Sequence, residues 1–174
     1  MEDPTAIGFD WSRNYVTQLF RPVAANGEAN AARPYAVGGM WIFCGGIGVL
    51  FRQLSARMEP RVHGKWVEIS GIAAMVYAAL TVTRMHDLMI SIALTFFVVA
   101  NLVTLVWLWR QRRLQQWIGG VASLTLLLVS AFVYYRGVGT ASLPALQKLS
   151  FVTSATWLLW VHRHNTAALP SVIR

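Results

Sequence analysis

A chain of 174 residues that is 56% hydrophobic and only 13% charged lies far below the roughly 25% charged content of soluble domains. Its mean hydropathy of +0.48 points the same way, and an ordinary water-soluble fold is excluded. The net charge of +8 does not indicate nucleic acid, because the basic residues fall in short segments between apolar runs rather than along one soluble face.

Residues 1–33 are the least hydrophobic part. The opening Met1-Glu2-Asp3-Pro4 has no basic start leading into an apolar stretch, so no cleavable signal peptide is expected and a later span acts as the insertion signal. Phe9, Trp11, Tyr15, Val16, Leu19 and Phe20 fit one side of a short helix. That pattern predicts an N-terminal interfacial amphipathic segment. Ala24 to Ala32 is small and polar and reads as a flexible link, with a turn at Asn26-Gly27.

Five apolar runs come next, at about 34–51, 66–83, 88–109, 117–135 and 144–161. The two that flank Arg84 show no polar face of the kind a water-facing helix needs. The longest, Leu88 to Trp109, has about 22 residues and would extend roughly 33 Å, enough to cross a bilayer core. The predicted fold is therefore all-α, an integral membrane bundle of about five transmembrane helices. Its transmembrane domain spans 34–164, and 165–174 form a tail. Trp66, Trp107, Trp109, Trp117, Trp157 and Trp160 sit near the ends of runs, as in an interfacial aromatic belt.

The first run starts at Pro34, a residue suited to a helix start. Gly38, Gly39, Gly45, Gly46 and Gly48 make it thin, which in lipid favours close helix association. Ser70, Ala74 and Ala78 give the second run a small-residue stripe of the same kind. Thr83-Arg84-Met85-His86-Asp87 then separates two nearly uncharged runs, so it must lie where water or headgroups begin. Gly119 and Gly120 open the fourth run, Arg136 to Thr140 form a turn, and Pro144 opens the fifth.

Lys and Arg in short loops set orientation. Arg52, Arg57, Arg61, Lys65, Arg110, Arg112, Arg113, Arg163 and Arg174 fall on one side, whereas Arg84 and Arg136 alone occupy the two short loops opposite. The expected protein is multi-pass in the cell membrane (the inner membrane in a Gram-negative cell). Its C-terminus is cytoplasmic and its N-terminus extracytoplasmic.

That orientation gathers Asp10, Arg13, Asn14, Arg84, His86, Asp87, Arg136 and Lys148 at the outer face. A His-Asp pair beside arginines suits an anionic headgroup, since the guanidinium fork matches phosphate oxygens, or proton transfer through an oriented imidazole. The plainer reading makes Asp87 the N-cap of the third helix and leaves Arg84 and His86 among headgroups. Lys148, near a helix end, is expected to snorkel. Gln147, Ser150 and Ser154 are expected to bond across helices as polar glue, and Asn101 to pair with a neighbouring helix.

No cofactor or metal is expected. His162 and His164 are two apart and point to different sides of a helix, and His86 belongs to the opposite face. Cys44 is the single cysteine, so a Cys-x-x-Cys pair and c-type haem attachment are impossible. There is no phosphate loop, nucleophile elbow or His-Glu-x-x-His pattern.

Asp10-Trp11-Ser12-Arg13-Asn14-Tyr15 before a Gly-rich run, the Met85-His86-Asp87 hairpin, and Leu146-Gln147-Lys148-Leu149-Ser150-Phe151 opening the last run resemble a bacterial family of small polytopic membrane proteins of unknown function. That family is distantly similar to the DRAM-like group and to relatives that remodel lipid anchors. Its members usually carry six spans, one of them ahead of the Asp-containing stretch. The resemblance thus implies a span that a partner supplies here, or a chain that starts later.

The function expected is non-enzymatic, with an extracytoplasmic face that binds membrane lipids or a partner. The alternatives are a structural subunit of a larger complex, a homo- or hetero-oligomer formed through the Gly-rich helix 34–51, and a small transporter or lipid-modifying enzyme using His86 and Asp87.

Overall fold

The computed structural model describes residues 14–24 and 27–166. These fold as an all-α bundle of five helices: α1 Arg33–Ser55, α2 Arg61–Ala79, α3 His86–Arg110, α4 Leu114–Arg136 and α5 Leu143–Thr166. Consecutive helices are joined by short connections and pack side by side, and α5 also returns to α1. The helices overrun the apolar runs at several ends, because backbone hydrogen bonding continues through polar residues such as Arg52, Gln53 and Arg61 to Lys65.

Four helices are long and apolar enough to cross a membrane: α1, α2 with its 3-10 extension to Val82, α3 and α4. α5 has 24 residues, roughly 36 Å at the helical rise, so its length is ample. Its composition is the difference. Gln147, Lys148 and the His162-Arg163-His164-Asn165 end dilute its apolar stretch, and it joins the bundle by packing against α4 and α1.

The two ends of the bundle are built differently. At the end carrying the α1–α2 and α3–α4 connections, here the basic end, Phe51, Leu54, Met58, Val67, Leu105, Trp107, Leu108, Trp157, Leu158 and Val161 form one buried cluster. Three glycines make the close approach possible. A Cβ on Gly71 would run into the ring of Phe51, one on Gly120 would meet Trp157 at 2.5 Å, and one on Gly64 would meet the Ser55 carbonyl oxygen at 2.5 Å. Phe51 also meets Phe97 edge to face at 6.0 Å, and Trp157 Nε1 donates to the Gln116 carbonyl at 2.8 Å. Just beyond the predicted fifth run, Arg57 Nη1 lies 3.3 Å from both Nδ1 and the carbonyl of His162, tying the α1–α2 connection to α5.

The glycines of α1 behave otherwise. Among the described residues, no atom lies within 4 Å of a Cβ built on Gly38, Gly39, Gly45 or Gly46. The thin face of α1 is open, and the glycines that pack inside the chain belong to α2 and α4.

Toward the other end, here the hairpin end, polar pairs replace the apolar cluster. Ser123 meets Ser154 at 2.9 Å and Ser130 meets Ser150 at 2.8 Å, joining α4 to α5 as hydroxyl glue. Asn101 does not bridge helices as expected. It is 1% exposed, and its Nδ2 donates to the Phe97 carbonyl one turn back in its own helix. Its Oδ1 is buried with no partner among the described residues.

Residues 1–13 of the predicted interfacial segment lie outside the described residues. In the described remainder, Val16–Phe20 form a short 3-10 helix. In place of the flexible link expected between that turn and α1, the described residues 21–24 and 27–32 are tied back as a strap. Gly27 takes a positive φ of 83°, which glycine adopts freely, and Val23 bridges to Ala29. Asn30 Nδ2 then donates to the carbonyls of Leu19 and Arg21, and Arg33 Nε donates to the Phe20 carbonyl at 2.9 Å.

Candidate functional site at the hairpin end

α3 starts at His86 with Met85 as its N-cap, and no side chain caps it. The expectation that Asp87 caps this helix is therefore corrected. Asp87 sits inside the first turn, where a carboxylate still gains from the helix dipole, and its side chain turns elsewhere. Asp87 Oδ1 accepts from the Tyr134 hydroxyl at 2.6 Å and lies 3.0 Å from His86 Nδ1. One turn on, Ser91 Oγ meets the Tyr135 hydroxyl at 2.7 Å. Residues four apart share a helix face, so Asp87 and Ser91 together clamp the start of α3 to the end of α4.

This clamp also defines the imidazole. An ionised carboxylate only accepts hydrogen bonds, so the proton of neutral His86 belongs on Nδ1 and the lone pair on Nε2. That Nε2 atom is buried and has no hydrogen-bond partner among the described residues, although the side chain as a whole is 28% exposed.

Beside the clamp opens a cavity of about 1180 Å³ within the ring of helices. Its deep walls are mostly apolar, with Cys44 and Ile47 of α1, Ala74 of α2, Ala93 and Phe97 of α3, Leu127 of α4, and Phe151 and Leu158 of α5, and with the paired hydroxyls of Ser130, Ser150 and Ser154 between them. Ile47 and Leu158 belong to the buried cluster and Phe97 packs against it, so the cavity is floored by the basic-end core. Its rim is polar and basic, with Arg21, Arg33, Arg84, His86 and Asp87. A second groove of about 250 Å³ runs along the α1–α5 seam under the strap, lined by Val16, Leu19, Phe20, Gly39, Met40, Phe43 and Phe151 among others.

Arg84, His86 and Asp87 thus meet at one rim. Arg84 is exposed and has no hydrogen bond or ion pair among the described residues. Lys148 and Asn14 also meet, but as part of the strap: Lys148 Nζ donates to the Asn14 carbonyl at 2.7 Å and to the Pro144 carbonyl at 3.2 Å. The neighbouring Gln147 Oε1 accepts from the Val16 amide at 3.2 Å. Neither Lys148 nor Asn14 lines the cavity. Arg136 stays outside as well, its guanidinium 5.9 Å from the Phe132 ring centre. Asp10 and Arg13 lie outside the described residues.

Four residues of the site escaped the sequence reading: Tyr134 and Tyr135, at the end of the fourth run, and Arg21 and Arg33, in the N-terminal segment. The only available signal was that Tyr134-Tyr135 falls at the same end of the bundle as His86-Asp87. Among the described residues no group of three His, Cys, Asp or Glu side chains converges as a metal site would require. The arrangement is a greasy chamber with a basic lip and one oriented imidazole. Comparison with protein-family models, curated proteins and solved structures returns no match for this chain.

Proposed function

We propose that this chain is a non-enzymatic, multi-pass cell-membrane protein that binds a lipid in the hairpin-end cavity. That end faces away from the cytoplasm and the C-terminus faces into it. The cavity itself carries the reading. It is larger than the 300–1,000 Å³ typical of small-molecule pockets, mostly apolar in depth and cationic at its mouth, which matches an amphiphile with a tail and an anionic head. The orientation rests on eight basic residues between Arg52 and Arg163 at the opposite end, the side that Lys and Arg mark as cytoplasmic.

Purification in mild detergent and then native mass spectrometry test it. The wild-type chain should retain lipid. Leu127→Trp, which fills the chamber, should release it while the melting temperature holds. Equal lipid retention by both proteins would rule out the cavity as the lipid site. Labelling of single cysteines in intact cells should reach residue 86 and spare residue 57.

The open glycine face of α1 favours a second role, as the seat of a helix from another copy or another subunit. Glycine permits helix approach in lipid, and nothing among the described residues uses that approach at Gly38, Gly39, Gly45 or Gly46. A monodisperse monomer in mild detergent, unaltered when Gly45 and Gly46 become Ala, would end this second reading.

A further inference from the structure

We infer that the lipid held in this cavity is an anionic phospholipid whose headgroup carries a free hydroxyl, with its phosphate at Arg84 and its hydroxyl donating to His86 Nε2. The inference rests on the proposed lipid cavity and adds the chemistry of the head.

Two independent observations select that chemistry. The first is charge. Among the described residues, the charged side chains lining the cavity are Arg21, Arg33, Arg84 and Asp87, and the Asp87 Oδ1 already meets Tyr134 and His86. Arg84, with no ion pair among the described residues, puts positive charge at this rim, which favours a phosphate over an ammonium. Arg84 stands exposed on the turn before α3, and its fork suits two phosphate oxygens at once.

The second observation is the orphaned nitrogen. His86 Nε2 is buried and without a partner among the described residues, and in the neutral imidazole the Asp87 contact makes it an acceptor. A buried acceptor left unsatisfied is unfavourable. Ester, carbonyl and phosphate oxygens cannot relieve it, because they are acceptors themselves. A hydroxyl can. A quaternary ammonium has no proton to give, and a primary ammonium has one but meets a cationic rim. Among common head types, a polyol phosphodiester satisfies both conditions together.

The test offers the full-length protein a panel of lipids with identical acyl chains: phosphatidylglycerol, phosphatidylmethanol, phosphatidylethanolamine and phosphatidylcholine. Occupancy is read by native mass spectrometry. Phosphatidylmethanol keeps the negative charge and lacks the hydroxyl, so it separates the two halves of the inference. The expected order is phosphatidylglycerol, then phosphatidylmethanol, then the two zwitterionic lipids, with about tenfold between first and last, since a site built around a hydrogen-bonded hydroxyl discriminates against its absence. His86→Phe should erase the preference for phosphatidylglycerol over phosphatidylmethanol. Arg84→Gln, on the exposed turn where folding is not at stake, should erase the preference for anionic lipids.

Equal binding of phosphatidylglycerol and phosphatidylmethanol by the wild type would overturn the hydroxyl contact. Equal binding of all four lipids, still abolished by Leu127→Trp, would overturn the headgroup assignment while leaving the cavity as the lipid site. Binding that ignores Leu127→Trp would overturn the cavity reading itself, so the two failures are distinguishable.

Discussion

The basic end and the hairpin end use the same five helices for opposite purposes. At the basic end, glycine faces an aromatic ring: Gly71 receives Phe51, and Gly120 receives Trp157. Side chains there interlock without polar atoms at most contacts. At the hairpin end, the helices are joined around a cavity by hydroxyl pairs, a Tyr-Asp-His clamp and a strap from the N-terminal segment. Inside lipid, apolar burial alone gives helices no reason to associate, so packing and interhelical hydrogen bonds must hold the bundle. One end is held mainly by the first, the other by the second.

This division places the severest damage at the basic end. Phe51→Ala removes a fully buried ring from the core and should cost about 3–5 kcal/mol. At 2–4 °C per kcal/mol for a chain of this size, the melting temperature in mild detergent should fall on the order of 10 °C. A shift of only a degree or two would mean that the floor is not a single packed unit.

Gly71→Ala comes next. Its new methyl meets the Phe51 ring, and overpacking of this kind costs about 1–3 kcal/mol. Its counterpart, Gly45→Ala, adds the same methyl to open space and should leave monomer stability within about 0.5 kcal/mol of wild type. Equal losses from the two would dissolve the contrast between the packed glycines and the open ones.

Tyr134→Phe should be milder, about 1 kcal/mol for one hydrogen bond. It should also loosen the His86 ring, which is visible as faster exchange of the imidazole proton signal by NMR. An unchanged imidazole signal would separate Tyr134 from the clamp.

The smallest effect concerns pH. Burial first, and the Arg57 guanidinium second, hold the His162 imidazole below its ordinary value. The native state then binds a proton less readily than the unfolded chain, so stability rises with pH. This contribution is complete above the unfolded value near 6.5 and fades as pH falls from there toward the folded value. Thermal melts from pH 7.5 to 5 should decline slightly, and His162→Asn should flatten that slope. A melting temperature that rises on acidification would contradict the sign.

The division between the ends was only partly legible in residue order. Helix number, span composition and the gathering of Arg84, His86 and Asp87 follow from hydropathy and from the charged breaks in it. The role of Asp87 does not, because a carboxylate at a helix start serves equally well as cap or cross-helix acceptor, and the choice depends on where Tyr134 arrives from a helix 47 residues later. Lys148 illustrates the same limit. Its position near a helix end implied a snorkelling amine, but not that the amine would donate to the main-chain carbonyl of Asn14, 134 residues away.

Residue chemistry alone determined that this chain is a helical membrane bundle, because sustained apolar runs in a chain so poor in charge have no other stable solution. Tertiary structure alone decided which glycines are filled and which stay bare, and that the bundle is solid at one end and hollow at the other. A glycine, a serine or a histidine carries no record of what will face it. That depends on the angle at which another helix returns.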